Sequence, residues 1–173
     1  MRGGIRMSNF PTITNNTMKI SFLCVGKIAE QWLQDGIDDY TKRLKHYVPF
    51  TIDIIPTPKN AQKADVEKQK ELEGEAILAK VASGDELYLL DASGQMYSSE
   101  ELAIFLQKKM SSSAKNLVIV AGGAFGFSEK VYRRSKGLIS FSKLTFTHQI
   151  IRLLLCEQVY RAFTILRGEG YHH

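Results

Sequence analysis

Residues 117–134 read LVIVAGGAFGFSEKVYRR: an aliphatic run, Leu117 to Ala121, stops on the paired Gly122 and Gly123, and a short basic segment follows. An unbroken aliphatic run bounded by a glycine turn is the pattern of a strand buried on both faces, and such strands belong to parallel sheets covered by helices. Glycines at the carboxyl end of a strand let backbone approach a ligand closely or adopt positive φ. The turn therefore raises the question of what it holds.

The same alternation extends outward in both directions. Upstream, KISFLCV (19–25) reads as a strand ending at Gly26, and Trp32, Leu33, Ile37, Tyr40, Leu44 and Tyr47 recur at helical spacing from about Ala29. FTIDII (50–55) reads as a second strand, stopped by Pro56 and Pro58, before a polar stretch of mixed charge that predicts a surface helix or two short ones. A third strand spans Glu86 to Leu90 and ends in Asp91 and a turn at Gly94. Ser98 followed by Glu101 has capping-box spacing and announces the next helix. Downstream of the glycine turn, a short helix from Ser128, a strand in KGLISFS (136–142), the loop KLTFT and a long helix from His148 to about Arg167 complete the series. Strands alternating with helices predict an α/β domain, a mostly parallel sheet with helices on both faces.

The glycine turn does not carry a familiar fingerprint. AGGAFG is not GxGxxG, no Walker lysine follows, and the turn does not lie in the first strand–helix unit. On pattern alone it reads equally as a ligand loop or as a tight structural turn; the second glycine turn in LLDASG, at another strand end, favours a shared pocket. Charge adds a second line of argument. From Lys130 to Arg167 the chain has eight Lys or Arg against one acid, Glu157, an excess of +7 where the whole chain has +5. A basic stretch beside a candidate ligand loop suits contact with a phosphate backbone.

Composition sets outer limits. The 173 residues, 44% of them hydrophobic, suffice for one domain with its own core. No apolar run reaches the roughly 18 to 20 residues a membrane span requires, and Cys24 and Cys156 have no CxxC spacing for zinc or redox pairing. The expectation is a cytoplasmic protein with reduced cysteines, no metal and no membrane association. Residues 1–17 lack the apolar core of a secretory signal and read as a disordered extension, with the folded domain running from Met18 to His173.

Four segments in order, LYLLDASG, LVIVAGGAFGFS, ISFSKLTFTHQIIRLLLCEQVYRA and the terminal YHH, resemble the RlmH (YbeA) family of SPOUT methyltransferases. The resemblance runs from Met18 to His173. It implies a C-terminal trefoil knot, which no pattern rule would suggest because threaded chains are rare. It implies a homodimer that uses S-adenosylmethionine to methylate N3 of a pseudouridine in an intersubunit stem-loop of 23S rRNA in the ribosome. Matched positions imply that Leu90, Gly122 and the loop Phe141, Ser142, Lys143, Leu144, Thr145 and Phe146 contact the cofactor, chiefly through backbone. Family members often have GGPEG where this chain has GGAFG, so a loop carboxylate is missing here.

His148, Arg152, Glu157, Tyr160 and Arg161 match the same block and are expected in the knot helix and dimer interface. Methylation of an imide nitrogen requires orientation of donor and acceptor and loss of the N3 proton. The resemblance assigns this to the tail: His172 closest to proton handling, Tyr171 placing or stacking on the base, and His173 standing where relatives have a permanent cation. The competing expectation is a ribosome-assembly factor that binds rRNA without catalysis. Binding of S-adenosylmethionine separates the two.

Overall fold

The computed structural model describes residues 18–172, in which β1 (Lys19–Val25), β2 (Phe50–Ile55), β3 (Glu86–Met96), β4 (Asn116–Ala121) and β5 (Gly137–Ser140) form a sheet in the order β2-β1-β4-β3-β5. Every neighbouring pair is parallel. Every residue of β4 is buried, as is every residue of β1 after Lys19. This is why those two sequences carry aliphatics on consecutive positions. Burying each such side chain contributes roughly 1.5 to 3 kcal/mol, which makes the central strands the main source of stability.

Five helices cover the sheet: α1 (Gln31–Leu44), α2 (Val66–Leu78), α3 (Ser99–Met110), α4 (Glu129–Arg134) and α5 (Ile150–Leu166). Leu117 and Ile119 of β4 share one core with Ile37 of α1, Leu106 of α3, and Val159 and Phe163 of α5. Val118 and Val120 share the other with Ile77 of α2 and Val131 of α4. The period of two along β4 thus distributes its side chains between two hydrophobic layers. Connections that step one way along the sheet, through α1 and α3, lie on one face, and those that step back, through α2 and α4, lie on the other. A single crossover hand requires that partition.

The local signals behave as their chemistry dictates. Ser98 Oγ accepts from the Glu101 amide at 3.1 Å and Glu101 Oε2 accepts from the Ser98 amide at 2.7 Å, so both halves of the capping box are made. The polar stretch before α2 becomes a short 3-10 turn, Ala61–Lys63, then a helix capped by Asp65, whose Oδ1 accepts from the Lys68 amide at 2.9 Å.

β3 departs from the sequence expectation. It does not stop at Leu90; it makes an excursion over Asp91–Gly94 and rejoins β5, so that Leu90 and Gln95 both pair with Ile139. The cause is Gly94, where a Cβ would lie 2.6 Å from the Ile139 nitrogen and the Leu138 carbonyl carbon. Only glycine admits so close an approach of two backbones.

β5 occupies the sheet edge, yet α5 packs against α1 and α3 over the middle. Residues 141–149 must therefore cross the carboxyl ends of the intervening strands. The arrival point is fixed by Gln149, whose Oε1 accepts from the Ala29 amide at 3.1 Å and whose Nε2 donates to the Lys27 carbonyl at 2.9 Å. One turn further on, Arg152 is fully buried and donates to the carbonyls of Gly26 at 2.9 Å and Val25 at 2.6 Å. No described helix is long and apolar enough to cross a membrane.

Candidate functional site

Three strand ends and the crossing segment enclose a cavity of about 400 Å³. That volume lies within the range of small-molecule sites, and its position is where open α/β sheets bind ligands. β3 contributes Leu90, Asp91 and Ala92; β4 and its turn contribute Ala121 to Ala124, Gly126 and Phe127. β5 and the segment after it contribute Ile139 to Ser142, Leu144 to His148 and, from α5, Ile151.

The glycines of the β4 turn answer to what packs behind them. A Cβ on Gly122 would meet the Phe127 ring at 3.0 Å, and one on Gly123 would meet Glu73 Oε2 at 2.5 Å. Phe127 is buried and stacks edge-on against Tyr132, with centroids 5.8 Å apart. Glu73 comes from α2, is 4% exposed and accepts from Gln69 Nε2 at 3.0 Å. The turn closes where the Gly126 amide donates to the Gly123 carbonyl at 3.3 Å, with Gly126 at φ +80°. Tight packing imposes glycine at this turn, and the same turn lines the cavity.

Asp91 is the one formally charged side chain among the lining residues. Its Oδ1 accepts from the Ser93 amide at 2.8 Å and the Ser93 hydroxyl at 2.6 Å, and its Oδ2 accepts from the Tyr132 hydroxyl at 2.6 Å. Burial alone would raise this carboxyl, but the bonds from Ser93 and Tyr132 outweigh it and hold Asp91 below the usual carboxylate range. Tyr132 moves the opposite way: burial first, then its bond to Asp91, push the phenol up to about 12. It stays a proton donor to Asp91 throughout the neutral range.

The mouth of the cavity is apolar and exposed. Among the lining residues Leu144 is 74% exposed and Phe146 41%; Phe125, in the turn between the lining residues Ala124 and Gly126, is 51% exposed. The Leu144 amide donates to Ser142 Oγ at 2.9 Å, and the Ser140 hydroxyl donates to the Ser142 carbonyl at 2.9 Å, which shapes the segment that carries them. Thr147 Oγ1 accepts from the Ile150 amide at 3.2 Å and starts α5.

Of the eight positions expected to contact a cofactor, Leu90, Gly122, Phe141, Ser142, Leu144, Thr145 and Phe146 line the cavity, and Lys143 is exposed outside it. Asp91, Phe127 and His148 also line the cavity, and sequence reading assigned none of them to it; His148 lies in the turn just before α5. Phe127 and Glu73 carry no local signal, because what selects them is contact across the fold.

Of the expected catalytic tail, Tyr171 packs on α1 and α5 of its own subunit. The Tyr171 hydroxyl shares a 2.9 Å hydrogen bond with that of Tyr40, and its ring packs edge-on against Tyr160 at 4.8 Å. Arg161 lies over the Tyr171 ring and donates to Glu157 at 2.7 Å. Tyr171 is absent from the lining of its own subunit's cavity. His172 falls in the 3-10 turn Gly170–His172, with its side chain outside the described residues; His173 and residues 1–17 also lie outside them.

The basic stretch is not one continuous face. Arg152 is buried, Arg161 pairs with Glu157, and Arg133 pairs with Glu129 at 3.0 Å. Arg134 donates to the carbonyls of Ala82 at 2.8 Å and Asp85 at 3.0 Å. Lys130, Lys136 and Lys143 are the exposed lysines of this stretch. Among the described residues, no group of three or more His, Cys, Asp or Glu is placed to hold a metal ion.

Residues 18–172 match a family model described as a predicted SPOUT methyltransferase. A Flavobacterium johnsoniae protein named ribosomal RNA large subunit methyltransferase H is 49% identical over 156 residues, covering 90% of this chain and 99% of that protein. Proteins of the same name from Flavobacterium psychrophilum and Christiangramia forsetii are 49% and 46% identical over the same coverage.

Proposed function

This chain belongs to the SPOUT methyltransferase family, and from that premise we propose that it is an S-adenosylmethionine-dependent methyltransferase of large-subunit ribosomal RNA. The acceptor in this reading is N3 of a pseudouridine in the intersubunit stem-loop of 23S rRNA, met on the assembled ribosome in the cytoplasm. The observation that carries the reading is the cavity itself. Seven of the eight positions assigned to the methyl donor by resemblance line one cavity of about 400 Å³ at the strand ends.

The residues present fit such a donor. Leu90, Ile139, Phe141 and Ile151 give apolar walls for a nucleoside, and Gly122 and Gly123 bring backbone to the surface of the wall. The donor, when bound, supplies an activated methyl group on a sulfonium. What remains for the protein is to orient the acceptor and to remove the N3 proton. Phe146 in the lining, and Phe125 in the turn between the lining residues Ala124 and Gly126, offer exposed faces for a base drawn out of its stack. His172 takes the proton, Tyr171 places the base, and His173 lends weaker electrostatic support than a permanent cation. The described residues form a single α/β sheet with its helices, a compact unit suited to a stem-loop that the assembled ribosome presents.

The trefoil knot and the homodimer belong to the same proposal. The crossing of residues 141–149 over the strand ends supports a threaded path. Tyr171 packed away from its own cavity supports a tail that serves the cavity of a second copy.

Calorimetric titration with S-adenosylmethionine tests the donor. Saturable binding is expected, and Gly122→Trp, whose side chain starts against the Phe127 ring and must displace that part of the cavity wall, is expected to abolish it while the protein still unfolds cooperatively. No binding by folded protein would overturn the reading in favour of a non-catalytic rRNA-binding assembly factor.

Mixing subunits tests the composite site. His172→Ala is expected to lower ribosome methylation about a hundredfold with donor binding intact, as loss of a general base does. Co-refolding it with Gly122→Trp should restore activity, because the tail of one variant then completes the cavity of the other. Recovery no better than the sum of the separate variants would place the tail in its own subunit's site.

A further inference from the structure

The cavity wall has one formal charge, and it is negative. Asp91 stands among neutral lining residues at the end of β3, and no ion pair among the described residues engages it. Its position is fixed from both oxygens, by the Ser93 amide and hydroxyl on Oδ1 and by the Tyr132 hydroxyl on Oδ2. All three donors are neutral, so they orient the carboxylate without cancelling its charge. A second carboxylate, Glu73, is buried behind Gly123 with the neutral Gln69 amide as its donor. The other ionisable residue of the lining is His148, an exposed residue just before α5.

We infer that Asp91 makes the cavity selective for the charge of its ligand: it favours a sulfonium donor over the uncharged thioether that remains once the methyl group has left. The inference rests on the donor reading above and adds to it a specificity-determining residue. Transfer of the methyl group removes one positive charge from the ligand while the wall stays negative. The wall's hold on the spent donor is thereby weaker than its hold on the fresh one. In a cavity with apolar sides, such a difference is less screened than in water.

Tyr132 is the positioning residue. Its ring rests edge-on against Phe127, the same ring that backs Gly122, so the orientation of Asp91 and the shape of the glycine wall share one support. Bonds from Ser93 and Tyr132 hold Asp91 ionised near neutrality despite its partial burial.

The test compares ligands that differ in charge at one position: S-adenosylmethionine, its uncharged product S-adenosylhomocysteine, and sinefungin, which carries an ammonium near the place of the sulfonium. Calorimetry on the unmodified protein gives the reference ratio of affinities. Asp91→Asn is expected to lower the ratio of S-adenosylmethionine to S-adenosylhomocysteine affinity about tenfold. The loss falls on S-adenosylmethionine and sinefungin, with S-adenosylhomocysteine changed by less than about twofold. Tyr132→Phe, which keeps the charge and loosens its orientation, should shift the ratio in the same direction by about threefold; it serves as the second variant if Asp91→Asn does not fold. Equal weakening of all three ligands, or an unchanged ratio, would overturn the inference while leaving the donor site standing. Failure of every ligand to bind the unmodified protein would overturn the donor reading and this inference with it.

Discussion

Arg152→Ala is expected to cost about 3 to 5 kcal/mol of folding free energy, out of a total that is only about 5 to 15 kcal/mol for a domain. Three losses add in the same place. The guanidinium fills space at the junction of α5 and β1 with no exposure to solvent, so truncation leaves a cavity. The carbonyls of Val25 and Gly26 lose their donors, and orphaning a buried acceptor costs about 1 to 3 kcal/mol. Gly26, at φ +83°, keeps the hydrogen bond from its amide to the Ile55 carbonyl at 2.8 Å but loses the donor to its own carbonyl.

Burial pushes this guanidinium below its ordinary range, against the smaller opposing effect of Cys24, and its Nε finds no partner among the described residues. The charge itself is thus a burden that the two carbonyl bonds offset. Arg152→Met, which fills the space without the charge, should therefore lose less than the alanine variant. Urea unfolding of the three proteins checks the order. Equal stability of Arg152→Ala and the unmodified protein would show that the clasp between α5 and β1 carries no load.

Gly94→Val is expected to do comparable damage by a different route. Its Cβ would sit 2.6 to 2.7 Å from backbone atoms of Leu138 and Ile139, and backbone in a paired strand cannot move aside as a side-chain tip can. Either β5 leaves β3 or the Asp91–Gly94 excursion unwinds. Both outcomes displace cavity walls, the first through Ile139 to Phe146 and the second through Asp91. A loss of about 3 kcal/mol or more is expected, at the upper end for a single substitution, together with loss of ligand binding. Gly84→Ala is the matched control, because nothing lies within 4 Å of its Cβ position. Thermal unfolding of the pair should separate them by several degrees; coincident melting curves would show that the β3–β5 contact tolerates a side chain at position 94.

The fold was legible in the sequence where the decisive interactions are local or repetitive. Consecutive aliphatics in 117–121 announced a strand covered on both sides, and Ser98 with Glu101 announced a helix start, because each signal is complete within a few residues. The excursion in β3 was not legible, since Gly94 matters through the backbone of a strand more than forty positions away. The two readings of the glycine turn stayed open for the same reason: Glu73, which closes off its rear, is contributed by α2. Counting charges misled most. Arg152 and Arg134 add to the basic total of their stretch, yet both spend their donors on backbone carbonyls of their own subunit. The path of Tyr171 back onto Tyr40 and Tyr160 had no counterpart in composition or spacing.

The crossing segment 141–149 also dictates an order of assembly. α5 follows β5 in the chain, so Gln149 and Arg152 can reach the end of β1 only after all five strands have been synthesised. Contacts between residues more than a hundred positions apart are the slowest for a chain to close. During synthesis β1 through β4 emerge with their two helical layers while the last wall of the cavity is still unmade. Until that final stretch has swung across, the nascent chain has a sheet but no vessel, so the newly made molecule acquires its capacity to hold a ligand in its last folding step.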